Sequence, residues 1–437
     1  EPVLICSQIL YSAVLVRYSD GMGPVLYPRA VDRVVAEELL PEFPAILVVG
    51  PRGTGKSTSM SAFADTTLDL SEPGTRLAVT EDPDGSLAAA SGTVLIDEWQ
   101  EAPEVLGALK RAVDRDPSQT AGRFIVTGSI RAAHQAATWP GTGRLIRVRM
   151  YGLTQAELRH DPRLNPIDAW YSAPQPSPVR SNYTRGDYLE AMTQGRFPAV
   201  IGRSGRGRDR WYQSYVEQLV DRDAAQISDR TARPGTLRSV LSSCAVRTGQ
   251  ELNKQATAED AEVDFRTADR AIGLLEDLLV IARVPAWHSK RLKRLTRTPK
   301  VHLTDPGMAA HLLSVTAEQL GREPGLVGQM FETFVVSELI SHIETAGERT
   351  ELFHFKDRDG REIDAVLERA GRVVGIEVKS SGSVDRKAAR GLIWLRDQLG
   401  QSFHLGVVLY SGANPFQLDD RIWALPISSL WHANRRG

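Results

Sequence analysis

Cysteine is nearly missing from these 437 residues: Cys6 and Cys244 are the two present, too few for a disulfide framework or a cysteine-based zinc site. They fit a reducing compartment, and packing is their expected role. A dominant sign of charge is missing as well. With 53 Lys and Arg against 54 Asp and Glu, the formal charge is -1, so whole-chain charge demands neither a nucleic-acid nor an acidic partner. Any basic surface must be local. Long apolar runs are absent too: the N-terminal stretch 2–16 is broken by Ser7, Gln8 and Ser12 and falls short of the ~20 residues that span a bilayer. It reads as neither signal peptide nor anchor, so the expectation is a cytoplasmic protein without membrane contact. Hydrophobic residues at 42% and charged residues at 24% exclude disordered and collagen-like classes, and the length suggests several domains.

Residues 1–22 read as an N-terminal extension. The run Ala45-Ile46-Leu47-Val48-Val49-Gly50 then reads as a buried strand, followed by a helix over 57–64. Further strands are predicted at 93–96 and 123–126 with helical stretches between them, the alternation of a parallel sheet covered on both faces. Residues 171–180, rich in Pro and Ser, read as a loop, and 202–210 as a second flexible connection, by their turn-forming composition.

Between the first strand and its helix stands Gly50-Pro51-Arg52-Gly53-Thr54-Gly55-Lys56-Ser57-Thr58. It satisfies G-x-x-x-x-G-K-[ST], in which glycines let successive backbone N–H groups face the phosphates of ATP. Lys56 would reach the β/γ-phosphates and Ser57 would hold Mg2+. A second apolar strand ends in Asp97-Glu98, where Asp97 suits the metal and Glu98 the attacking water. Two solvated acids at a strand end are the competing reading. Thr127 or Ser129 would sense the γ-phosphate, or simply end the third strand. Arg131 and Arg144 are candidates for a transition-state arginine, against the alternative of surface arginines.

This order of phosphate loop, Asp-Glu strand and Thr-Gly-Ser strand resembles an AAA-type ATPase of the extended P-loop superfamily. The likeness is to a large prokaryotic group whose openings read PR-x-VD, GPR-x-x-GK-[ST] and LIDE-x-Q-x-P. Here these are Pro28-Arg29-Ala30-Val31-Asp32, residues 50–57, and Leu95-Ile96-Asp97-Glu98-Trp99-Gln100-Glu101-Ala102-Pro103. The resemblance runs from about residue 27 almost to the C-terminus, and implies a homo-oligomer in which a neighbour's arginine completes each site.

Downstream, helices are predicted at 237–247, 254–261 and from Asp264, the last with Ala268, Ala271, Ile272 and Leu275 facing inward. Two short strands follow at 279–284 and 300–303, and the whole resembles a winged helix-turn-helix. Arg266 and Arg270 would point outward, and Lys290, Arg291, Lys293 and Arg294 lie in a loop with no acid between Leu278 and Thr304. Such a patch binds phosphate backbone by counterion release, making DNA the favoured partner. A protein-interaction module with a solvated basic loop is the alternative.

Finally, 361–368 alternates like a strand, turns at Gly371 and returns as 373–379. In that hairpin Asp364, Glu377 and Lys379 would share a face, since side chains alternate with period two. Two carboxylates can hold Mg2+ and a lysine can position water against a phosphodiester. The pattern resembles the PD-(D/E)xK nuclease superfamily, and the resemblance adds Glu332, on a helix predicted over 327–343, as a further metal ligand. A degenerate fold that does not cut remains the other reading. The expected architecture is therefore α/β: an ATPase core over 23–150, a helical lid or linker over 151–235, a winged helix over 236–304 and a nuclease-like α/β domain over 305–437.

Overall fold

The computed structural model describes residues 27–116, 120–128, 143–173, 175–176, 179–220, 234–289 and 298–432. The chain divides into two compact units, the first reaching Leu153 and including Glu157–Arg163, the second made of Thr154–Ala156 and Leu164 onward.

The first unit is built on five parallel strands: β1 (Ala45–Val49), β2 (Thr66–Asp69), β3 (Val94–Asp97), β4 (Phe124–Gly128) and β5 (Leu145–Arg149). Their order is β2-β3-β4-β1-β5, and every pairing is parallel. β1, β3 and β4 are buried along their whole length, while edge strands β2 and β5 are partly exposed. That difference explains why the central runs are continuously apolar and easily read, whereas the edges carry Thr, Asp and Arg. The short helix α1 (Lys56–Met60) follows β1, and α2 (Glu104–Arg115) buries Val105, Leu106, Leu109 and Val113. β4 lies between β1 and β3, so the loops leaving these three strands gather at one carboxyl edge, where open α/β sheets bind ligands.

The second unit begins with helices, among them Arg185–Gln194 and Gly205–Gln218. The latter corrects the expectation of a flexible connection over 202–210. The Ser204 hydroxyl caps the helix by accepting from Gly207 N–H, which offsets the two glycines in its first turn. Then come α3 (Pro234–Val246), β6 (Gln250–Glu251), α4 (Lys254–Asp260), α5 (Phe265–Asp277), β7 (Ile281–Val284) and β8 (Lys300–Leu303). The three strands form an antiparallel sheet with β8 in the middle. Asp264 caps α5 by accepting from Thr267 N–H, and Ala268, Ala271, Ile272, Leu274 and Leu275 form its buried face.

After α6 (Pro306–Leu312), the helix α7 (Pro324–Glu344) is apolar on nearly all sides and correspondingly buried. It precedes a six-stranded sheet of β9 (Glu351–Lys356), β10 (Glu362–Arg369), β11 (Arg372–Lys379), β12 (Phe403–Tyr410), β13 (Phe416–Asp419) and β14 (Ile422–Pro426). The order is β13-β14-β12-β11-β10-β9. β9, β10 and β11 are antiparallel neighbours, whereas β11, β12 and β14 run parallel, and α8 (Arg390–Leu399) makes the crossover from β11 to β12. Ala286 bridges to His354, joining the segment after β7 to β9. One hydrophobic core runs from the helices around Tyr188 and Tyr212 through α5 and β8 to α7, β11 and β12. Cys244 lies in that core, as expected of a packing cysteine, and burial pushes its thiol up to about 12.

Candidate functional sites

The phosphate loop leaves the buried end of β1 and turns twice through left-handed glycines, Gly53 (φ 74°) and Gly55 (φ 92°). Any other side chain would be strained there. Lys56 folds back over the loop and donates from Nζ to the carbonyls of Gly50 and Pro51, each at 3.0 Å. Thr54 Oγ1 donates to Pro51 O at 3.0 Å. Ser57 Oγ donates to Asp97 Oδ1 at 2.9 Å, and Thr127 Oγ1 donates to the same oxygen. Three of the expected residues, from α1, β3 and β4, therefore meet directly. A hydroxyl beside a carboxylate is the hard oxygen set that Mg2+ takes. Glu98 directly follows in the left-handed region (φ 52°), rare for a residue with a Cβ. That turn swings it away from the strand line, and Gln100 Nε2 donates to its carboxylate. Arg144 pairs with Asp114. Ser129 and Arg131 lie outside the described residues.

One residue here stands out in the sequence only as part of the Pro28–Asp32 motif. Arg29, 5% exposed, donates through Nη1 to Thr54 O and through Nη2 to Tyr151 O, both at 2.7 Å. Its Nε lies 3.2 Å from Glu157 Oε1, an ion pair without hydrogen-bond alignment. Glu157 also accepts from Ala30 N–H at 2.7 Å. Thus a buried guanidinium ties the phosphate loop to the chain beyond β5. The same turn holds Asp32, whose Oδ2 accepts from Arg29 N–H, and burial raises its carboxyl to about 6 despite the Arg29 charge.

In the second unit, the β10–β11 register pairs Ala365 with Ile376, and one further step sets Asp364 beside Glu377 on one face. Asp364 Oδ2 accepts from Val378 N–H at 2.8 Å, and Lys379 Nζ donates to Glu377 Oε1 at 2.5 Å. Glu332 enters from α7. Burial and then the Asp364 charge raise both Glu377, to about 8, and Glu332, and burial raises Asp364. Like charges crowded out of water favour protonation or a cation.

A cation that sequence reading passed over is present. Lys300 of β8, 1% exposed, places Nζ 2.7 Å from Glu332 Oε1, 2.7 Å from Glu362 Oε1 and 3.8 Å from Asp364 Oδ1. Burial would lower this ammonium, but Glu332, Asp364 and Glu362 together raise it above its ordinary value. Its basic neighbours in sequence disguised it as one more surface charge. His302, two residues on, is fully buried; burial and then Lys300 hold it well below the ordinary imidazole value. Glu377 Oε2 is buried without a hydrogen-bond partner, and carboxylate oxygens suit Mg2+. Among the described residues, no three His, Cys, Asp or Glu side chains stand grouped for a metal ion; lysines are interleaved with these carboxylates.

On α5, Arg266 and Arg270 are exposed, as expected for outward positions, and Lys254 of α4 pairs with Asp269 at 2.6 Å. Lys290, Arg291, Lys293 and Arg294 lie outside the described residues. Among the described residues no helix is long and apolar enough to cross a membrane.

Residues 42–159 match a family model described as an AAA domain, while 185–319 and 327–430 match two domains of unknown function. The chain is 28% identical over 397 residues to uncharacterized proteins of Mycobacterium bovis and Mycobacterium tuberculosis, covering 89% of this chain and 81% of each relative. Among solved structures, RuvB of Thermotoga maritima is similar at 16% identity, over 67% of this chain and 94% of that one, with a TM-score of 0.29. The AAA domain match over 42–159, the phosphate-loop motif and the parallel sheet together support an AAA-type, ATP-binding ATPase domain within the first unit.

Proposed function

We propose that this ATPase acts on DNA, with the segment 234–303 as its DNA-contacting module and the carboxylate centre of β10, β11 and α7 as a Mg2+-dependent phosphodiesterase. The observation that carries the reading is Asp364 standing close enough for its charge to raise both Glu332 and Glu377, with Lys379 donating to Glu377.

At the nucleotide site, Ser57 and Asp97 would hold Mg2+, which neutralises phosphate charge when bound, and Lys56 would leave its loop carbonyls for the β/γ-phosphates. Glu98 would orient the attacking water, and Thr127 would reach the γ-phosphate. A homo-oligomer supplying an arginine in trans belongs to the same reading.

The order α3, α4, α5, β7, β8 supports a winged helix-turn-helix, with Arg266 and Arg270 on the exposed face of its second helix. At the C-terminal centre, Glu332, Asp364 and Glu377 would ligate Mg2+, and Lys379 would position water. Hydrolysis adds hydroxide to phosphorus and a proton to the oxygen that leaves. Lys300, seated among the carboxylates, favours a second reading in which the centre does not cut and ATP switches DNA or protein binding alone.

Two experiments separate these. ATP turnover should fall at least tenfold in Lys56→Ala, and Glu98→Gln should keep ATP bound while hydrolysis slows; unchanged turnover in both would defeat the nucleotide-site assignment. A panel of single-stranded, duplex and branched DNA with Mg2+ or Mn2+ should be cut by the wild type and spared by Asp364→Ala. Intact ATP turnover with no cutting of any substrate would move the conclusion to the switch.

A further inference from the structure

Lys300 belongs to neither the β10–β11 hairpin nor α7. It comes from the middle strand of the three-stranded sheet, and its ammonium nevertheless contacts Glu332 and Glu362 at 2.7 Å each. Sealing an ammonium from water costs several kcal/mol unless anions surround it, and here carboxylates from α7 and β10 do so. Two buried atoms at the same centre lack hydrogen-bond partners: Glu377 Oε2, and His302 Nε2, which lies 3.7 Å from Glu332 Oε1. A centre with such atoms left over is built for a ligand beyond the lysine.

We propose that Lys300 is an internal cation occupying the Glu332–Glu362–Asp364 centre, and that a divalent cation binds there only when the lysine is displaced. The proposal rests on reading this centre as a cation site, and it gives that site a resident competitor. Both cations need the same carboxylate oxygens, and two positive charges a few ångströms apart in a poorly hydrated site repel strongly. Because β8 carries Lys300 and pairs with β7, which packs on α5, whatever engages α5 acts one strand away from the competitor.

The test is calorimetric titration of the full chain with Mn2+, without nucleotide or DNA. Lys300→Met should bind Mn2+ at least tenfold more tightly than the wild type, whereas Lys300→Arg should remain weak. Lys300→Gln should move in the same direction as Lys300→Met and serves if that variant does not fold. Adding Asp364→Asn to Lys300→Met should abolish the gain. If Lys300→Met and Lys300→Gln fold but bind Mn2+ no more tightly, while Asp364→Asn weakens wild-type binding, the competitor role is overturned and the cation site stands. If no variant shows Mn2+ binding that depends on Asp364, the cation site falls with it.

Discussion

Replacing Arg29 by Met keeps much of the side-chain volume and removes the charge and all the donors. In the native fold that guanidinium makes two 2.7 Å hydrogen bonds, to Thr54 O and Tyr151 O, and lies 3.2 Å from Glu157 Oε1. A hydrogen bond from a charged group contributes about 1.5–3 kcal/mol, but the two bonds and the ion pair share one side chain and do not add. The better guide is the cost of removing one partner of a buried pair, about 3–5 kcal/mol, because Arg29 and Glu157 are 5% and 3% exposed. Against a usual domain stability of about 5–15 kcal/mol, that is a large share of the first unit's reserve. Urea unfolding followed by hydrogen exchange at β1 and β4 amides isolates this unit, and titration with a non-hydrolysable ATP analogue reads the loop. The expected result is a loss of about 3–5 kcal/mol together with weakened nucleotide binding. Adding Glu157→Gln should restore part of the stability, since the amide oxygen can still accept from Ala30 N–H and the charge that Arg29 neutralised at Glu157 is gone. A loss below about 1 kcal/mol, the range of an exposed pair, or one that Glu157→Gln leaves untouched, would refute the reasoning.

Two other perturbations probe the same unit. Burial raises Asp32 to about 6, so between about pH 4 and 6 the folded state holds a proton that the unfolded chain has released, and the contribution of Asp32 to stability falls across that window by about 3 kcal/mol. Asp32→Asn should flatten that slope in thermal melts taken across the window; an unchanged slope would assign it elsewhere. Gly50→Ala would put a Cβ 2.1 Å from the Met150 carbonyl oxygen, a backbone atom that no rotamer change can move. Overpacking of this kind costs about 1–3 kcal/mol, and we expect nucleotide affinity to fall at least tenfold, with native affinity counting against it.

The parallel core and phosphate loop were legible because their information is local: β1 is one apolar run, and the glycines and Lys56 follow it directly. The shared face of Asp364 and Glu377 was legible for a similar reason, a two-residue period read across one short hairpin. The opening of the helix Gly205–Gln218, residues 205–210, reads as a flexible connection because Gly205 and Gly207 outweigh the cap that Ser204 supplies, whereas its continuation from Trp211 carries a helical pattern. Arg29 and Lys300 escaped for a different cause. Each acts through partners remote in sequence, Tyr151 lying 122 residues from Arg29 and Glu332 lying 32 residues from Lys300, and a basic residue gives no sign of being buried until its partners are known. The left-handed turn at Glu98 has no local signature either, since nothing in Asp97-Glu98-Trp99 demands it.

The position of β8 also sets where this polypeptide can be divided. A fragment beginning at residue 305 would keep α7 and the whole six-stranded sheet, yet it would lose Lys300, His302 and the residues around Ala286 that cover the free side of β9. Its carboxylates would then face one another without the internal ammonium, and its edge strand would be open to pairing with other chains. Metal affinity, solubility and any cleavage measured on such a fragment would be properties of a different molecule. The strand that looks like the last piece of the middle module is, electrostatically, the first piece of the C-terminal one.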